Sequence, residues 1–193
     1  MGMFTAMANS SSTIGYAQYG SSSWSTGSSS GACQGAYRGT TAAKSRVGVM
    51  VFSGAGAALK GKLIQSITLT ITCSGAGSGS SSKKLTFCQA NYQSLNTGVR
   101  GSAQVGATMG TLTGKFYSNT VTHTLNASSN AALFAAMKAY FEAGNSVLVL
   151  YNGETSSSSG YSSNYARVTS CTISVVYIDA VVWYRDGGTW RQC

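Results

Sequence analysis

Side chains able to do acid–base work are scarce in this sequence. Glu142, Glu154, Asp179 and Asp186 are the whole acidic set, and His123 is the sole histidine. Glycoside hydrolysis sets two carboxylates on opposite sides of a sugar. Here Glu142 falls on an expected helix, Glu154 in a loop and both aspartates in the C-terminal tail, so no pair lies on facing strands. A serine triad would pair His123 with an acid and a Gly-x-Ser-x-Gly elbow, and no such elbow precedes a helix. His123 reads instead as a surface or hydrogen-bonded residue of an alternating strand. No Walker-type phosphate loop is present. The acids are too few for a calcium cage. Cys33, Cys73, Cys88, Cys171 and Cys193 contain no C-x-x-C pair, and with one histidine they make no zinc set. The expectation is a non-enzyme with no catalytic residue, no metal and no cofactor.

Binding chemistry is better represented. Tyr16, Tyr19, Trp24, Tyr161 and Tyr165 fall in or beside expected loops rich in Ser, Gly and Asn. Aromatic platforms with such donors make a saccharide surface. The same residue types also pack loops and subunit interfaces. A second group closes the chain, where Trp183, Tyr184 and Trp190 flank Asp186-Gly187, a tight-hairpin signal. A two-stranded hairpin is marginal alone. It must cover either its own body or another subunit, so these three residues are the expected subunit-interface candidates.

The elements that would position these residues are strands. Ile64 to Cys73 alternates from Ser66 on, with Ile67, Leu69, Ile71 and Cys73 on one face and Ser or Thr on the other. It is expected to be a central strand. Further strands are expected over Thr13–Tyr19 (at an edge), Ser45–Phe52, Lys83–Tyr92, Gly110–Leu125 (one or two), Ser146–Tyr151 and Val168–Ile178. Cys73 and Cys171 sit on the apolar phase and read as buried thiols. The odd number of cysteines argues against a full disulfide framework, and Cys193 is the one expected to be exposed. Gly20–Gly35 and Asn152–Tyr165 are expected loops, and Gly54-Ala55-Gly56 a break. One helix is expected at about 130–143, from the N-cap candidates Ser128, Ser129 and Asn130 to a C′ glycine at Gly144. Its Leu133, Phe134, Met137, Tyr140 and Phe141 form an apolar stripe facing a core. Residues 1–12 read as a flexible or partner-ordered arm, 13–178 as the body and 179–193 as an aromatic hairpin tail. The pattern predicts an all-β fold, a two-sheet antiparallel jelly-roll sandwich with one helix and a C-terminal β-hairpin.

Composition narrows the partners. The 193 residues suit one domain that buries roughly 70% of its unfolded surface. Lys+Arg is 13 against Asp+Glu 4, giving +9, yet charged residues are only 9%. The basic residues are scattered, with Lys83-Lys84 the only adjacent pair, which disfavours nucleic-acid binding. Proline is absent, so Gly, Asn and Ser must make the turns. The N-terminus lacks the features of a secretory signal, and no run of ~18 apolar residues provides a membrane span. A charge-poor Ser/Thr/Gly/Tyr surface without an export signal suits a protein that folds in a bacterial cytoplasm and leaves by lysis, as phage structural proteins do.

From about Thr13 to Ile178 the chain resembles the DNRLRE family, jelly-roll domains similar to carbohydrate-binding modules and found in bacterial surface and phage tail proteins. The resemblance rests on Ser45-Arg46-Val47-Gly48-Val49-Met50-Val51-Phe52 and Ile64-Gln65-Ser66-Ile67-Thr68-Leu69-Thr70-Ile71. It extends to Phe141-Glu142-Ala143-Gly144-Asn145 and Ile173-Ser174-Val175-Val176-Tyr177. The family's proline before the last strand is missing. Thr122-His123-Thr124-Leu125-Asn126 stands where the family has Asp-Val-Thr. The resemblance implies a virion protein acting by assembly and adhesion in a tail fibre, baseplate or capsid decoration. Its partners would be copies of itself and other virion proteins. The alternative is a carbohydrate-binding module that recognises a host-surface glycan.

Overall fold

The computed structural model describes residues 1–9, 14–19, 24–27, 31–38, 43–74, 82–94, 101–154, 160–180, 183–186 and 188–192. In chain order the elements are β1 (Gly2–Asn9), β2 (Ile14–Tyr19), β3 (Trp24–Gly27), β4 (Ala32–Arg38), β5 (Ala43–Val51), α1 (Ala55–Leu59), β6 (Lys62–Cys73), β7 (Lys83–Ala90), α2 (Gly101–Gln104), β8 (Val105–Gly114), β9 (Thr120–Leu125), α3 (Ala131–Glu142), β10 (Val147–Leu150), β11 (Gly160–Tyr161), β12 (Ala166–Asp179), β13 (Trp183–Asp186) and β14 (Thr189–Gln192). The fold is mostly antiparallel β-sheet. The main sheet has 12 strands in the order β8-β7-β10-β5-β4-β12-β6-β9, with β1 on β12, β2 on β5, β3 on β2 and β11 on β4. The order ends at β8 and β9, so the sheet does not close into a barrel. No helix among the described residues is long and apolar enough to cross a membrane.

β6 behaves as its alternation dictates. Ile67, Leu69, Ile71 and Cys73 are buried, and the intervening threonines face outward. β12 pairs along almost the whole of it, from Val168↔Cys73 to Asp179↔Lys62. Ile64 is also buried, three positions before Ile67. A register shift between Val176 and Tyr177 permits this, since the extra residue on β6 puts Gln65 and Ser66 outward together. β10 is buried at every position, as a strand covered on both sides must be.

β4 makes the main sheet continuous, where two separate sheets were expected. Its first half pairs with β12 (Cys33↔Arg167) and its second half with β5 (Ala36↔Ser45). The bend falls at Gly35, whose φ of +85° is a left-handed conformation that glycine adopts without cost. The strands so folded over share one core. Leu69, Ile71, Ile173 and Val175 meet Phe52, Phe87, Leu112, Leu148 and Phe116 there. The expected helix is α3, and its Leu133, Phe134, Met137, Tyr140 and Phe141 enter that core. Its N-cap is Asn130, left-handed at φ 54°, without a side-chain cap bond. Asn126 Oδ1 instead accepts from the backbone N–H groups of Ser128 and Ser129, both at 2.8 Å, and shapes the turn before the helix. Gly144, at φ +93°, ends the helix as expected.

Several segments differ from the sequence reading. Gly2–Asn9 is not a free arm but β1, paired with β12 from Gly2↔Tyr177 to Asn9↔Ser170. Its Phe4, Ala6 and Ala8 pack on the core while Met3, Thr5 and Met7 face out. β2 is not an edge strand, because β3 covers one side and β5 the other. The expected loop 20–35 contains β3 and the start of β4. Gly54-Ala55-Gly56 opens α1 instead of merely breaking a strand. A Cβ on Gly56 would lie 2.2 Å from the Gly144 carbonyl oxygen, so this helix reaches the end of α3 only through a glycine.

Candidate functional site

The bend of β4 brings the candidate site together. Tyr37 follows the bend on β4, Arg46 lies on β5, and Tyr161 forms part of β11, paired with Tyr37 in register. Tyr165 enters β12. The ring centroids of Tyr37 and Tyr161 are 4.6 Å apart and those of Tyr161 and Tyr165 4.4 Å, tilted at 38° and 46°. Arg46 Cζ lies 5.5 Å from the Tyr165 centroid and 6.0 Å from that of Tyr37. Its guanidinium donates to Tyr165 Oη at 2.8 Å and to Cys33 Sγ at 3.6 Å. A cation beside stacked rings is held by their quadrupoles as well as by the hydroxyl. Tyr161 is 40% exposed and presents the row to solvent, whereas Tyr165 is buried.

A polar scaffold fixes this row. Glu154 accepts from Ser162 Oγ and, at 3.1 Å, from Asn164 Nδ2. Its backbone carbonyl accepts from Ser45 Oγ at 2.9 Å. Ser162 Oγ also accepts from the Ala36 N–H at 2.8 Å, so the Glu154 carboxylate is tied through it to β4. Gln34, fully buried, donates to the carbonyls of Lys84 and Asn164 and accepts from the Thr86 N–H at 2.9 Å. Lys83 is buried too, and its ammonium donates to the Tyr165 carbonyl at 2.6 Å. Burial draws the Lys83 pKa below its ordinary value, against the opposing pull of Cys73 and Glu154. A Cβ on Gly35 would sit 2.8 Å from Tyr165 Cα and 3.0 Å from Glu154 Oε2. Glycine is therefore needed at the centre of this corner.

Tyr161 and Tyr165, two of the five aromatics read as a ligand surface, touch each other, with Tyr165 an inner support and Tyr161 exposed. Tyr37 and Arg46 were missed as site residues. Tyr37 lies just past a Ser/Gly-rich stretch with no apolar alternation to mark a strand, and only its pairing partner reveals its place. The backbones of Tyr16, Tyr19 and Trp24 lie on β2 and β3, where Tyr19 opposes Trp24, and their side chains lie outside the described residues. The hairpin predicted around Asp186-Gly187 exists as β13 and β14, with Trp183↔Gln192 and Arg185↔Trp190 in register. The side chains of Trp183, Tyr184 and Trp190 also lie outside the described residues.

The remaining chemistry-bearing residues are dispersed. Glu142 Oε1 accepts from the Ile64 N–H at 2.7 Å and pairs with Lys138, one turn earlier on α3. Asp179 pairs with Lys62 across β12 and β6. His123 is half-buried on the inner phase of β9, not on the surface, with its ring centroid 5.8 Å from that of Phe116. Desolvation holds its pKa below the ordinary value. Cys33, Cys73, Cys88 and Cys171 are buried free thiols. Burial pushes Cys73 and Cys171 up to about 12 and raises Cys33 and Cys88 as well. Cys193 lies outside the described residues. No group of three or more His, Cys, Asp or Glu side chains with metal-binding geometry occurs among the described residues.

One further surface is unusual. Where β1, β12, β6 and β9 lie side by side, the outward positions are Met3, Thr5 and Met7; Ser170, Thr172, Ser174, Val176 and Ile178; Leu63, Gln65, Ser66, Thr68, Thr70 and Thr72; and Thr120, Thr122 and Thr124, with Arg167 on the outward phase of β12 only before this span, where β12 pairs with β4. No charge occurs within the span. Hydroxyls bond across the strands, Thr68–Thr124 at 3.2 Å, Thr70–Thr122 at 3.3 Å, Thr72–Thr120 at 3.0 Å and Thr5–Ser174 at 3.3 Å. No protein-family model matches this chain, and no curated protein matches it.

Proposed function

We propose that this protein is a non-enzymatic structural component of a bacteriophage virion, in a tail fibre, baseplate or capsid decoration, acting by assembly and adhesion. In this reading the body is a jelly-roll sandwich of the DNRLRE type, its two layers joined through the bend of β4. The chain is made in the host cytoplasm and released by lysis, and its partners are copies of itself and other virion proteins. The observation that carries the assembly reading is the charge-free outer face that β1, β6 and β9 form with β12 from Ser170 to Ile178. Free sheet edges and faces are normally guarded by charge, lysine above all. Here both edge strands of that face, β1 and β9, lack charge at every outward position. A surface of mutually satisfied hydroxyls with exposed Met, Leu and Ile beside it suits close contact with a neighbouring subunit.

Sedimentation velocity over a range of concentrations tests this. The wild-type chain is expected to form discrete assemblies, and Thr122→Lys, placing an ammonium on the edge strand β9 of the face, to dissolve them. A wild-type chain that stays monomeric throughout, unchanged by the lysine, refutes the reading.

A second reading, recognition of a host-surface glycan, is favoured by the exposed Tyr161 ring within its row of tyrosines. It expects glycan-array binding that Tyr161→Ala or Trp24→Ala abolishes.

A further inference from the structure

We infer that the outer face of β1, β12, β6 and β9 packs on the same face of a second copy of this chain, about a two-fold axis running along the strands between β12 and β6. This rests on the assembly reading above and fixes its partner and symmetry. The face is self-complementary in hydrogen bonding. Ser170, Thr72 and Thr120 form one row across β12, β6 and β9, Ser174, Thr68 and Thr124 form another, and a third row of threonines lies between them. Each hydroxyl donates once and accepts twice. The cross-strand pairs Thr68–Thr124, Thr70–Thr122 and Thr72–Thr120 use one donor each. One donor and spare acceptors per pair are left for a partner, and an identical lattice offers both roles in return.

Beyond these rows the face turns apolar. Met3 opposes Val176, and Ile178 opposes Leu63. Met3 is 72% exposed, Leu63 43% and Ile178 36%. Isolated exposed apolar residues are ordinary, but a cluster across neighbouring strands marks an interaction surface.

Charge and area select a second copy. The chain carries a net +9. An acidic partner gains by meeting basic surface, whereas a like-charged copy associates best where charge is absent. Here charge begins only at the margins, with Lys62 and Asp179 paired at one end and Arg167 beyond the other, as in the polar rim of an interface. Strands ~4.8 Å apart with ~3.3 Å per residue give the face a footprint of roughly 500 Å². Two such faces reach the ~1,000 Å² that a specific interface needs.

The two ends of the face decide the axis. An axis along the strands lays β12 over the partner's β6, so that hydroxyl rows meet hydroxyl rows and Ile178 meets the partner's Leu63. An axis across the strands would set Val176 and Ile178 on hydroxyls and bury donors without acceptors, which is costly. Sheets so aligned pack ~10 Å apart with their strands within about 30°. An isologous contact of this kind uses up the face on both copies and stops at a dimer.

The full-length chain with Cys193→Ser tests this, since Cys33, Cys73, Cys88 and Cys171 are buried. Ser170→Cys and Val176→Cys, made separately, lie beside the axis near its two ends. Each is expected to join to its own copy through a short bismaleimide and give a covalent dimer on a denaturing gel. Thr5→Cys, out on β1, is expected to join much less. In sedimentation velocity the wild type is expected to show monomer and dimer and nothing larger. Met3→Glu/Leu63→Glu, at two exposed positions, is expected to weaken the dimer at least about tenfold. If the wild type assembles but neither Ser170→Cys nor Val176→Cys joins to its copy, or if assembly runs past the dimer, the inference fails while the assembly reading stands. A wild type that never associates defeats both.

Discussion

Replacing Glu154 by alanine tests whether the tyrosine row is held by a carboxylate. The side chain takes hydrogen bonds from Ser162 Oγ and Asn164 Nδ2, and Ser162 passes the connection to the Ala36 N–H on β4. A hydrogen bond to a charged group contributes about 1.5–3 kcal/mol. Two such bonds give roughly twice that, but Glu154 is half-buried, so water recovers part of the loss. The expected destabilisation is about 2–4 kcal/mol, or about 5–15 °C in melting temperature for a chain of this size. Glu154→Gln keeps one acceptor oxygen in place and should cost about half as much. Urea unfolding followed by far-UV circular dichroism gives the free energy. Near-UV dichroism reports whether Tyr161 and Tyr37 lose their fixed packing before the body unfolds. A change below about 0.5 kcal/mol, within the range of an ordinary surface substitution, would refute the reasoning and leave the rings to hold themselves.

Gly35→Ala should cost about 1–3 kcal/mol from the left-handed backbone alone, and more from the approach of Tyr165 Cα; a melt unchanged to within a degree would contradict this. His123 contributes a slope to the pH dependence of stability. Its folded pKa lies below the ordinary value, so below about pH 6.5 the unfolded chain binds more protons and stability falls with pH. The decline levels off once the folded ring also protonates, and His123→Gln should flatten it in urea titrations at successive pH values. In a Cys193→Ser background, the buried thiols should react with a maleimide only after unfolding, because burial disfavours the thiolate; rapid native labelling detected by mass spectrometry would show that the core opens locally. Thr70→Val/Thr122→Val replaces both members of a hydroxyl pair by isosteres and should leave stability within about 0.5 kcal/mol, as urea unfolding can verify.

The elements legible in the sequence are those whose apolar residues repeat with a clear period. β6 was readable because isoleucine and leucine alternate with threonine, β10 because it is apolar throughout, and α3 because its stripe recurs at helical spacing. β1 was not, since alanine and methionine carry little phase information and its inward residues include only one large apolar side chain, Phe4. β3 and β4 were hidden by serine and glycine, which suit loops and strands alike. For β4 the deciding contacts come from β5 and β12, distant in sequence. The same distance concealed Arg46 and Tyr37, whose neighbours Tyr161 and Tyr165 come more than a hundred residues later. Tyr161 and Tyr165 were visible as aromatics in a polar stretch, yet nothing local could say that one is buried and the other half-exposed.

The pairing of Gly2 with Tyr177 sets how this molecule bears tension. A pull applied outward at the start of β1 and at the far end of β12 acts on neighbouring antiparallel strands from the same pole. The load then falls on one rung of the ladder at a time, and β1 peels away like a zipper instead of shearing all its bonds at once. Anchored through those two points the domain would yield at low force, whereas anchored broadly through its outer face it would stay rigid.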